Sequence, residues 1–228
     1  MIVSINQPMY LPWLGYFDRI VRSDVHIVLD HVQFEKNSMI NRNKIRTKES
    51  WNWLTIPIKT KNKFGELQIN DLSVDNTLAW KQKHWKSIKF NYSKAKYFKD
   101  YAYFFEDLYE NNWQKLLPML KFINSYFFEK LNIKTKIIYS SNLNPTLTKS
   151  EMILELCKKV GANKYISGPF GRNYLNIKEF DMSGIKIDFH DYLHPIYAQA
   201  YSGFEYNMSI IDLLFNHGKD SIKILKNE

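Results

Sequence analysis

The sequence is poor in cysteine and in long apolar runs, and each scarcity excludes a class of protein. Cys157 is the single cysteine, so a disulfide framework is excluded and a reducing compartment is expected. No stretch approaches the roughly 18 consecutive apolar residues of a membrane-spanning helix. The N-terminus lacks the pattern of a signal peptide. We therefore predict a cytoplasmic protein without stable membrane insertion.

Several catalytic and cofactor motifs are also missing from the sequence. It contains no P-loop, no G-x-G-x-x-G and no G-x-S-x-G. Cys157 falls on the apolar face of a predicted helix, which favours an inert core residue over a nucleophile. His190 and His194 have a helical spacing, but Pro195 argues against a helix there, and we predict no metal.

The charge is strongly basic, with 32 Lys and Arg against 23 Asp and Glu, a net charge of +9. A solvated lysine surface explains this charge, and so does attraction for a phosphorylated small substrate. We predict no nucleic-acid partner, because the sequence has no basic stripe or recognised nucleic-acid motif.

Length and composition favour a folded α/β protein. The 228 residues, 45% hydrophobic and 16% aromatic, suffice for a full core. The apolar runs Ile2–Ile5 and Val25–Leu29 predict strands, and Gly15–Val21 between them predicts a helix, which gives a βαβ opening. We predict one domain over 1–228, with a Rossmann-like, mostly parallel sheet flanked by helices. An aromatic-rich helical insertion or cap is predicted at about 76–131.

The rest of the chain contains further predicted elements. The strand candidates are Trp51–Ile58, Leu67–Leu72, Thr135–Ser140, Lys164–Ser167 and Gly184–Phe189. The helix candidates are one capped by Asn76 or Thr77, an amphipathic helix at Ser150–Val160 ended by Gly161, and Ser209–Asn216.

Polar residues follow the predicted strands, where ligands of such sheets bind. The amides of Asn6, Gln7 and Gln33 suit recognition of a base or an amide. Asp30 ends a strand and suits a hydroxyl ligand or a proton transfer. A polar turn fixed by Pro8 and Pro12 is the alternative for Asn6 and Gln7.

Tyr10 and Trp13, in the same loop, suit stacking on a ligand ring, and core packing is the open alternative. Lys83 and His84 lie on adjacent positions of a predicted helix and suit an anionic substrate, with His84 as general base. A solvated helix face is the alternative for this pair.

Arginine is scarce, with five residues, so Arg42 and Arg172 stand out from the lysines. A guanidinium binds phosphate or carboxylate through two hydrogen bonds, whereas a surface ion pair is the alternative. Asn41 and Asn43 flank Arg42 as further binding candidates. Ser167 and Gly168 precede Arg172 in a glycine-punctuated loop whose backbone amides suit phosphate.

Together these segments resemble the WbqC-like family over nearly the whole length. The matching strings are Gln7-Pro8-x-Tyr10-Leu11-Pro12-Trp13-x-Gly15-Tyr16-Phe17, Asp30-x-Val32-Gln33-Phe34, Asn41-Arg42-Asn43, Trp80-x-x-Lys83-His84, Ser167-Gly168 and Ser209-Ile210-x-Asp212-Leu213-Leu214-Phe215-Asn216-x-Gly218. Many members have His where this chain has Asn6, which can hydrogen-bond but does not titrate. A second resemblance, in fold, is to the nucleotidyltransferase-like group, whose His-x-Gly-His motif is missing here. Gly171–Leu175 is similar to a loop of pantothenate synthetases, which activate an acid as an adenylate.

The family resemblance implies a bacterial role in O-antigen or other surface-glycan biosynthesis, including lipopolysaccharide. We expect a transferase that adds an acyl or aminoacyl group to the amine of a nucleotide-linked amino sugar. ATP, through an acyl-adenylate, and acyl-CoA are the candidate sources of the acyl group. Gln7 and Trp13 would hold the base or acyl group, Arg42 and Arg172 the phosphate, and His84 or Asp30 the amine proton. A non-catalytic nucleotide-sugar-binding protein of the same pathway is the alternative, and an oligomer is left open.

Overall fold

The computed structural model describes residues 1–60, 65 and 67–228. The chain divides into two compact units. Unit 1 consists of Met1–Pro8, Tyr16–Val32 and Ile133–Leu193, and unit 2 of Met9–Gly15, Gln33–Asn132 and His194–Glu228. The expectation of one domain over 1–228 stays a prediction.

The strands are β1 (Ile2–Asn6), β2 (Val25–Val28), β3 (Arg42–Arg46), β4 (Trp51–Thr55), β5 (Lys136–Tyr139), β6 (Lys164–Ser167) and β7 (Lys186–Phe189). The α-helices are α1 (Leu14–Val21), α2 (Trp80–Tyr92), α3 (Phe98–Glu110), α4 (Leu116–Lys130), α5 (Lys149–Lys159), α6 (Ile177–Met182), α7 (Ile210–His217) and α8 (Ser221–Lys226). No helix in the described part of the chain is long and apolar enough to cross a membrane.

Unit 1 is built on a five-stranded sheet in the order β5-β2-β1-β6-β7. Each neighbouring pair is parallel, so the carboxyl ends of all five strands lie at the same edge. The predicted α/β class, with a mostly parallel sheet flanked by helices, is confirmed. The βαβ opening is confirmed too, since β1 and β2 pair in parallel and α1 lies between them in sequence.

The core of unit 1 follows from two sequence periods. Val3 and Ile5 of β1 and Val25 and Ile27 of β2 alternate onto a buried face, as period 2 requires. The predicted amphipathic helix is α5, which adds a buried stripe to the same core. Cys157 lies in that stripe, and burial raises the pKa of its thiol to about 12, so the interpretation as an inert core residue is confirmed.

Unit 2 contains the helix-rich segment, and its core is aromatic. The rings of Phe104 on α3 and Tyr126 on α4 stack with centroids 3.6 Å apart. The ring of Phe215 on α7 contacts Phe98 and Phe105 edge-on, at 5.2 and 5.5 Å between centroids. Such pairs add to the stability from area burial alone. The prediction of an aromatic-rich helical region is confirmed.

The two strands of unit 2 form an antiparallel hairpin, β3–β4, in which Arg42 pairs with Thr55 and Arg46 with Trp51. The strand predicted at Trp51–Ile58 is β4, which stops at Thr55, ahead of Pro57. Strand β3 was not predicted, because Asn41-Arg42-Asn43 has the composition of a loop. Its side chains follow period 2, however, with Asn43 and Ile45 completely buried.

Two sequence predictions in unit 2 are wrong. Leu67–Leu72 contains a 3-10 turn at Ile69–Asp71 instead of a strand. Its buried residues, Ile69 and Leu72, are three apart, which suits a 3-10 turn and not the period of a strand. Helix α2 begins at Trp80, and neither Asn76 nor Thr77 caps it. The Asn76 side chain instead accepts a hydrogen bond from the Trp80 indole, at 3.4 Å.

Candidate functional site

In unit 1 the order of the strands defines where a ligand crevice lies. From β1 the chain adds β2 and β5 on one side, and then β6 and β7 on the other. The order therefore reverses between β1 and β6, the point at which open α/β sheets bind ligands beyond the carboxyl ends of their strands. Asn6 and Gln7 follow β1, and Ser167 and Gly168 end and follow β6.

Asn6 and Gln7 are both partly exposed at this point. Nδ2 of Asn6 is buried, and no acceptor for it exists among residues 1–60, 65 and 67–228. A buried amide donor without an acceptor costs free energy, which a ligand or a water removes when it accepts that hydrogen bond. Ligand recognition by Asn6 stays a prediction, and Nδ2 is the atom that would carry it.

Asp30 lies beyond the end of β2, and its carboxylate is already occupied. Oδ1 accepts hydrogen bonds from Ser140 Oγ at 3.0 Å and Ser141 N at 2.9 Å, and Oδ2 accepts one from Ser141 Oγ at 2.7 Å. Asp30 is 2% exposed. It thus fixes the turn that follows β5 to the end of β2, which is a positioning role.

Ser167, Gly168 and Arg172 belong to one loop but differ in environment. Ser167 is buried, and its hydroxyl donates to the Gly168 carbonyl at 3.0 Å. The Arg172 guanidinium is bound by both carboxylate oxygens of Asp191, at 2.9 and 2.6 Å. For Arg172 the structure thus has the surface ion pair, which was the alternative left open by the sequence.

Sequence analysis did not single out a buried carboxylate in unit 1, Asp18 on α1. It is 1% exposed, and Oδ2 accepts from Nε2 of His190 at 2.6 Å and from Nε of Arg22 at 2.7 Å. Its position on the helix carried no motif. His190 was considered only as a metal ligand with His194. In the described part of the chain no three His, Cys, Asp or Glu side chains are grouped to hold a metal.

In unit 2, Tyr10 and His84 are joined by a hydrogen bond of 2.9 Å between the phenol oxygen and Nδ1. Tyr10 also hydrogen-bonds Tyr109, and Tyr10 is completely buried. Tyr10 is thus a core residue that orients His84. Burial lowers the pKa of His84 to about 4, against a smaller opposing effect of a hydrogen bond with the Thr55 backbone. The imidazole is neutral at pH 7, and it is hydrogen-bonded both to the Tyr10 hydroxyl and to the Thr55 backbone.

A cavity of about 500 Å³ opens beside His84. This volume lies within the usual range of small-molecule sites. The wall contains two indole rings, a cation and several polar side chains. The lining residues that matter here are Asn52, Trp53, Thr55, Trp80, Lys83 and His84.

A second cavity of unit 2, about 190 Å³ in volume, contains Arg42 and Asn41 in its wall. Thr55 and Pro57 line both cavities, so the two adjoin at the end of β4. The Arg42 guanidinium hydrogen-bonds the side chain and backbone carbonyl of Asn37. Within the described residues it forms no ion pair with an acid, and its Nε has no acceptor.

Asn41 and Asn43 are both buried, and their amides bond to the backbone of unit 2. Asn41 Nδ2 donates to the Ile56 carbonyl at 2.8 Å. Asn43 Nδ2 donates to the carbonyls of Tyr10 at 3.3 Å and Leu11 at 2.7 Å. Leu11 has φ +44°, a left-handed conformation that is costly for leucine. Asn43 therefore positions this strained loop.

Trp13 and Gln33 complete the set of predicted residues. Trp13 is partly exposed, and its indole covers Gly15, where an added Cβ would collide with the ring. Gln33 is exposed and forms an antiparallel bridge with Gln68. The role of the predicted residues as one site, converging on a single cleft, stays a prediction.

These observations define a class of protein: an α/β protein with a Rossmann-like parallel sheet, and with an inserted helical unit whose cavities carry aromatic rings and cations. The chain belongs to the WbqC-like protein family, whose model matches residues 7–224. The family predicted from the opening motif is therefore confirmed.

One relative matches over nearly its whole length. It is the uncharacterized protein Rv1507c of Mycobacterium tuberculosis (strain ATCC 25618 / H37Rv), which is 34% identical over 227 residues. The match covers 98% of this chain and 97% of that protein. No solved structure matches the chain significantly.

Proposed function

We propose that this protein is an enzyme of surface-glycan biosynthesis that acts on a nucleotide-linked amino sugar. The reaction is transfer of an acyl or aminoacyl group to the sugar amine. The observation that supports this proposal best is the pair of cavities in unit 2, which adjoin at one strand end and are lined by aromatic rings and by Arg42 and Lys83, two cations without an ion pair to a described acid.

The chemistry of the two walls suits a nucleotide sugar. Trp53, which is 37% exposed, offers indole surface for a base or a sugar ring, while the buried Trp80 contributes to the wall behind it. Lys83 and Arg42 offer positive charge to a diphosphate, and neither forms an ion pair with a described acid. An acidic partner would have to be displaced before phosphate could bind, so its absence favours a binding role over a structural one.

The proposed reaction forms one bond and breaks one. The sugar amine attacks the carbonyl carbon of the activated acid, and an amide C–N bond forms. The bond to the leaving group breaks, and CoA thiolate or AMP departs with the electron pair, according to whether acyl-CoA or an acyl-adenylate is the donor. The amine nitrogen loses one proton in the same sequence, and this proton passes to the departing group or to water.

A second candidate, a binding protein without catalysis, is favoured by the state of His84. Its Nδ1 lies 2.9 Å from the Tyr10 hydroxyl, and its pKa of about 4 makes it a weak base at pH 7. A residue in this state orients a ligand through its ring but accepts an amine proton poorly. Both candidates require the same nucleotide-sugar ligand.

The test combines binding with product detection. The protein is mixed with nucleotide-linked amino sugars, and acyl-CoA or an acid with ATP is added. Mass spectrometry then detects the amide. An amide product that disappears when Lys83→Met and Arg42→Met are combined supports the enzyme. Binding measured by calorimetry without any product supports the second candidate. If no nucleotide sugar binds at millimolar concentration, both candidates are wrong.

A further inference from the structure

Unit 1 contains a buried guanidinium with no acidic partner. Arg19, on α1, is 7% exposed. Its guanidinium forms no hydrogen bond or ion pair with any residue in 1–60, 65 or 67–228, and Nε is buried without an acceptor. An unpaired buried charge costs several kcal/mol. An anion from outside the chain that paired with Arg19 would recover part of this cost.

The surroundings of Arg19 offer hydroxyl groups in place of carboxylates. Tyr16, Tyr165, Tyr174 and the buried His26 interact with it electrostatically, and none of them is an acid that carries negative charge at pH 7. Burial raises the pKa of each of these phenols, so they are neutral at pH 7. The nearest acid in sequence, Asp18, pairs through Oδ2 with Arg22 and His190. Its Oδ1 accepts no hydrogen bond within the described residues, and Asp18 forms no ion pair with Arg19. The positive charge of Arg19 is therefore not neutralised within the described chain.

Gly168 shows where the guanidinium lies. A Cβ added to Gly168 would sit 2.8 Å from Nη1 of Arg19, closer than side-chain carbons pack. The glycine thus lets the guanidinium lie against the backbone that follows β6. The α1 helix delivers the guanidinium to the carboxyl end of β6, beside the point where the strand order reverses.

Asn6 reaches the same place from β1. The paired residues of β1 and β6 end with Ser4 beside Ile166, and continuing this register places Asn6 level with Gly168. Nδ2 of Asn6 is the other buried donor at this crevice without an acceptor in the described chain. Two unsatisfied donors, one of them charged, therefore lie at the carboxyl ends of the adjacent strands β1 and β6, where α/β sheets bind ligands.

We propose that Arg19 and Asn6 form an oxyanion-binding site at the carboxyl ends of β1 and β6. It takes the phosphate or the carboxylate of a small molecule. A guanidinium binds either group through two parallel hydrogen bonds, and the Asn6 amide donates a further one. This site lies wholly within unit 1, and its argument does not depend on the proposed function.

The test uses the full chain with simple anions as probes. Thermal unfolding is followed with millimolar sodium phosphate, pyrophosphate or acetate, each against sodium chloride at equal ionic strength. Because a ligand that binds only the folded state raises Tm, a rise with phosphate and pyrophosphate would indicate a phosphate-binding site. A rise with acetate would indicate a carboxylate-binding site. Arg19→Met should abolish the shift. Lys158→Met removes one exposed charge from unit 1 and should leave the shift intact, which controls for general charge and salt effects.

The behaviour in chloride alone separates binding from folding. Removing an uncompensated buried cation should leave the Tm of Arg19→Met equal to or above that of the native chain. Gly168→Ala keeps the guanidinium but displaces it, and it should weaken anion binding at least tenfold by calorimetry.

Two results would overturn the site. One is that no anion raises the Tm of the native protein. The other is that the anions raise the Tm of Arg19→Met as much as that of the native protein. If Arg19→Met fails to fold, Gly168→Ala decides: anion affinity equal to that of the native chain makes Arg19 a structural residue. The probes contain neither a nucleotide nor a sugar, so failure here leaves the proposed function untouched.

Discussion

The guanidinium of Arg42 lies over the indole ring of Trp53, with its central carbon 4.3 Å from the ring centroid. Arg42 starts β3, and Trp53 lies on β4 of the same hairpin. The stack fixes the plane of the guanidinium, while the protein supplies no acid to pair with it in the described residues. A planar cation held in this way is preorganised for phosphate or carboxylate.

We expect Arg42→Lys to weaken nucleotide-sugar binding by about 1–3 kcal/mol, the range for a charged hydrogen bond, because lysine keeps the charge and loses the fork. Calorimetric titration measures the affinity, and chemical denaturation measures the stability, which should change little. Arg22→Lys, at an exposed arginine paired with Asp18, is the control and should bind normally. Unchanged affinity with a lowered melting temperature would make Arg42 a structural residue.

The protein should lose stability as the pH falls below about 6.5, because two buried histidines resist protonation. Burial lowers the pKa of His84 to about 4 and that of His26 to about 3, with the charge of Arg19 as a smaller cause for His26. The unfolded chain takes up these protons near pH 6.5. Proton uptake therefore stabilises the unfolded state relative to the folded state as the pH falls. For His84 the loss amounts to about 3 kcal/mol once the pH reaches about 4.

Urea denaturation between about pH 7 and pH 4 tests this dependence. His84→Gln should flatten the curve, because glutamine does not titrate. Gln82→Asn changes an exposed, non-titrating residue on the same helix and should leave the slope as it is. A His84→Gln curve parallel to that of the native protein would refute the assignment.

Asp212 should make the opposite contribution to the pH dependence of stability: it should stabilise the protein as the pH falls. It is completely buried, and burial raises the pKa of its carboxyl to about 6, although Tyr92, Tyr197 and Gln199 donate hydrogen bonds to it. The folded state therefore holds this proton more tightly than the unfolded state, and the carboxyl adds stability as the pH falls from about 6 to about 4. Asp212→Asn removes this term.

The stability of Asp212→Asn relative to the native protein should thus be about 3 kcal/mol more favourable at pH 7 than at pH 4. Taking the difference between the two proteins cancels the other titrating groups. The comparison also cancels any constant effect of the added amide protons. A difference that does not vary with pH would mean that Asp212 titrates normally.

Gly15→Ala should destabilise the protein by about 1–3 kcal/mol, the usual cost of overpacking, because its methyl group would meet the Trp13 indole. Denaturation measures the loss, and ligand titration shows whether the displaced indole contributes to binding. Gly184→Ala is the comparison: Gly184 has φ +71° and no neighbour within 4 Å among the described atoms. It should cost about 1–2 kcal/mol from the backbone alone. If Gly15→Ala costs nothing, the Trp13 ring moves freely.

Local patterns in the sequence were sufficient for the elements of unit 1. Short apolar runs predicted β1 and β2, and the helical spacing from Met152 to Val160 predicted α5 with Gly161 after it, at φ +73°. These patterns succeed because each element needs only one apolar face. The opening motif also identified the family, since its long string of residues is rarely matched by chance.

The tertiary structure decided what each polar side chain does. Arg42 and Arg172 look alike in the sequence, but the fold brings Asp191 to Arg172 and leaves Arg42 without a described acid. Arg19 is also one of the five arginines, but the sequence did not mark it as a site residue. Only the sheet order and the close approach to Gly168 show that it lies at the crevice. Asp30 and Asn43 are engaged by partners 110 and 33 residues away. A local pattern determines which face of an element is buried, whereas the partner of a charge or an amide depends on contacts between distant segments, which form only when the chain folds.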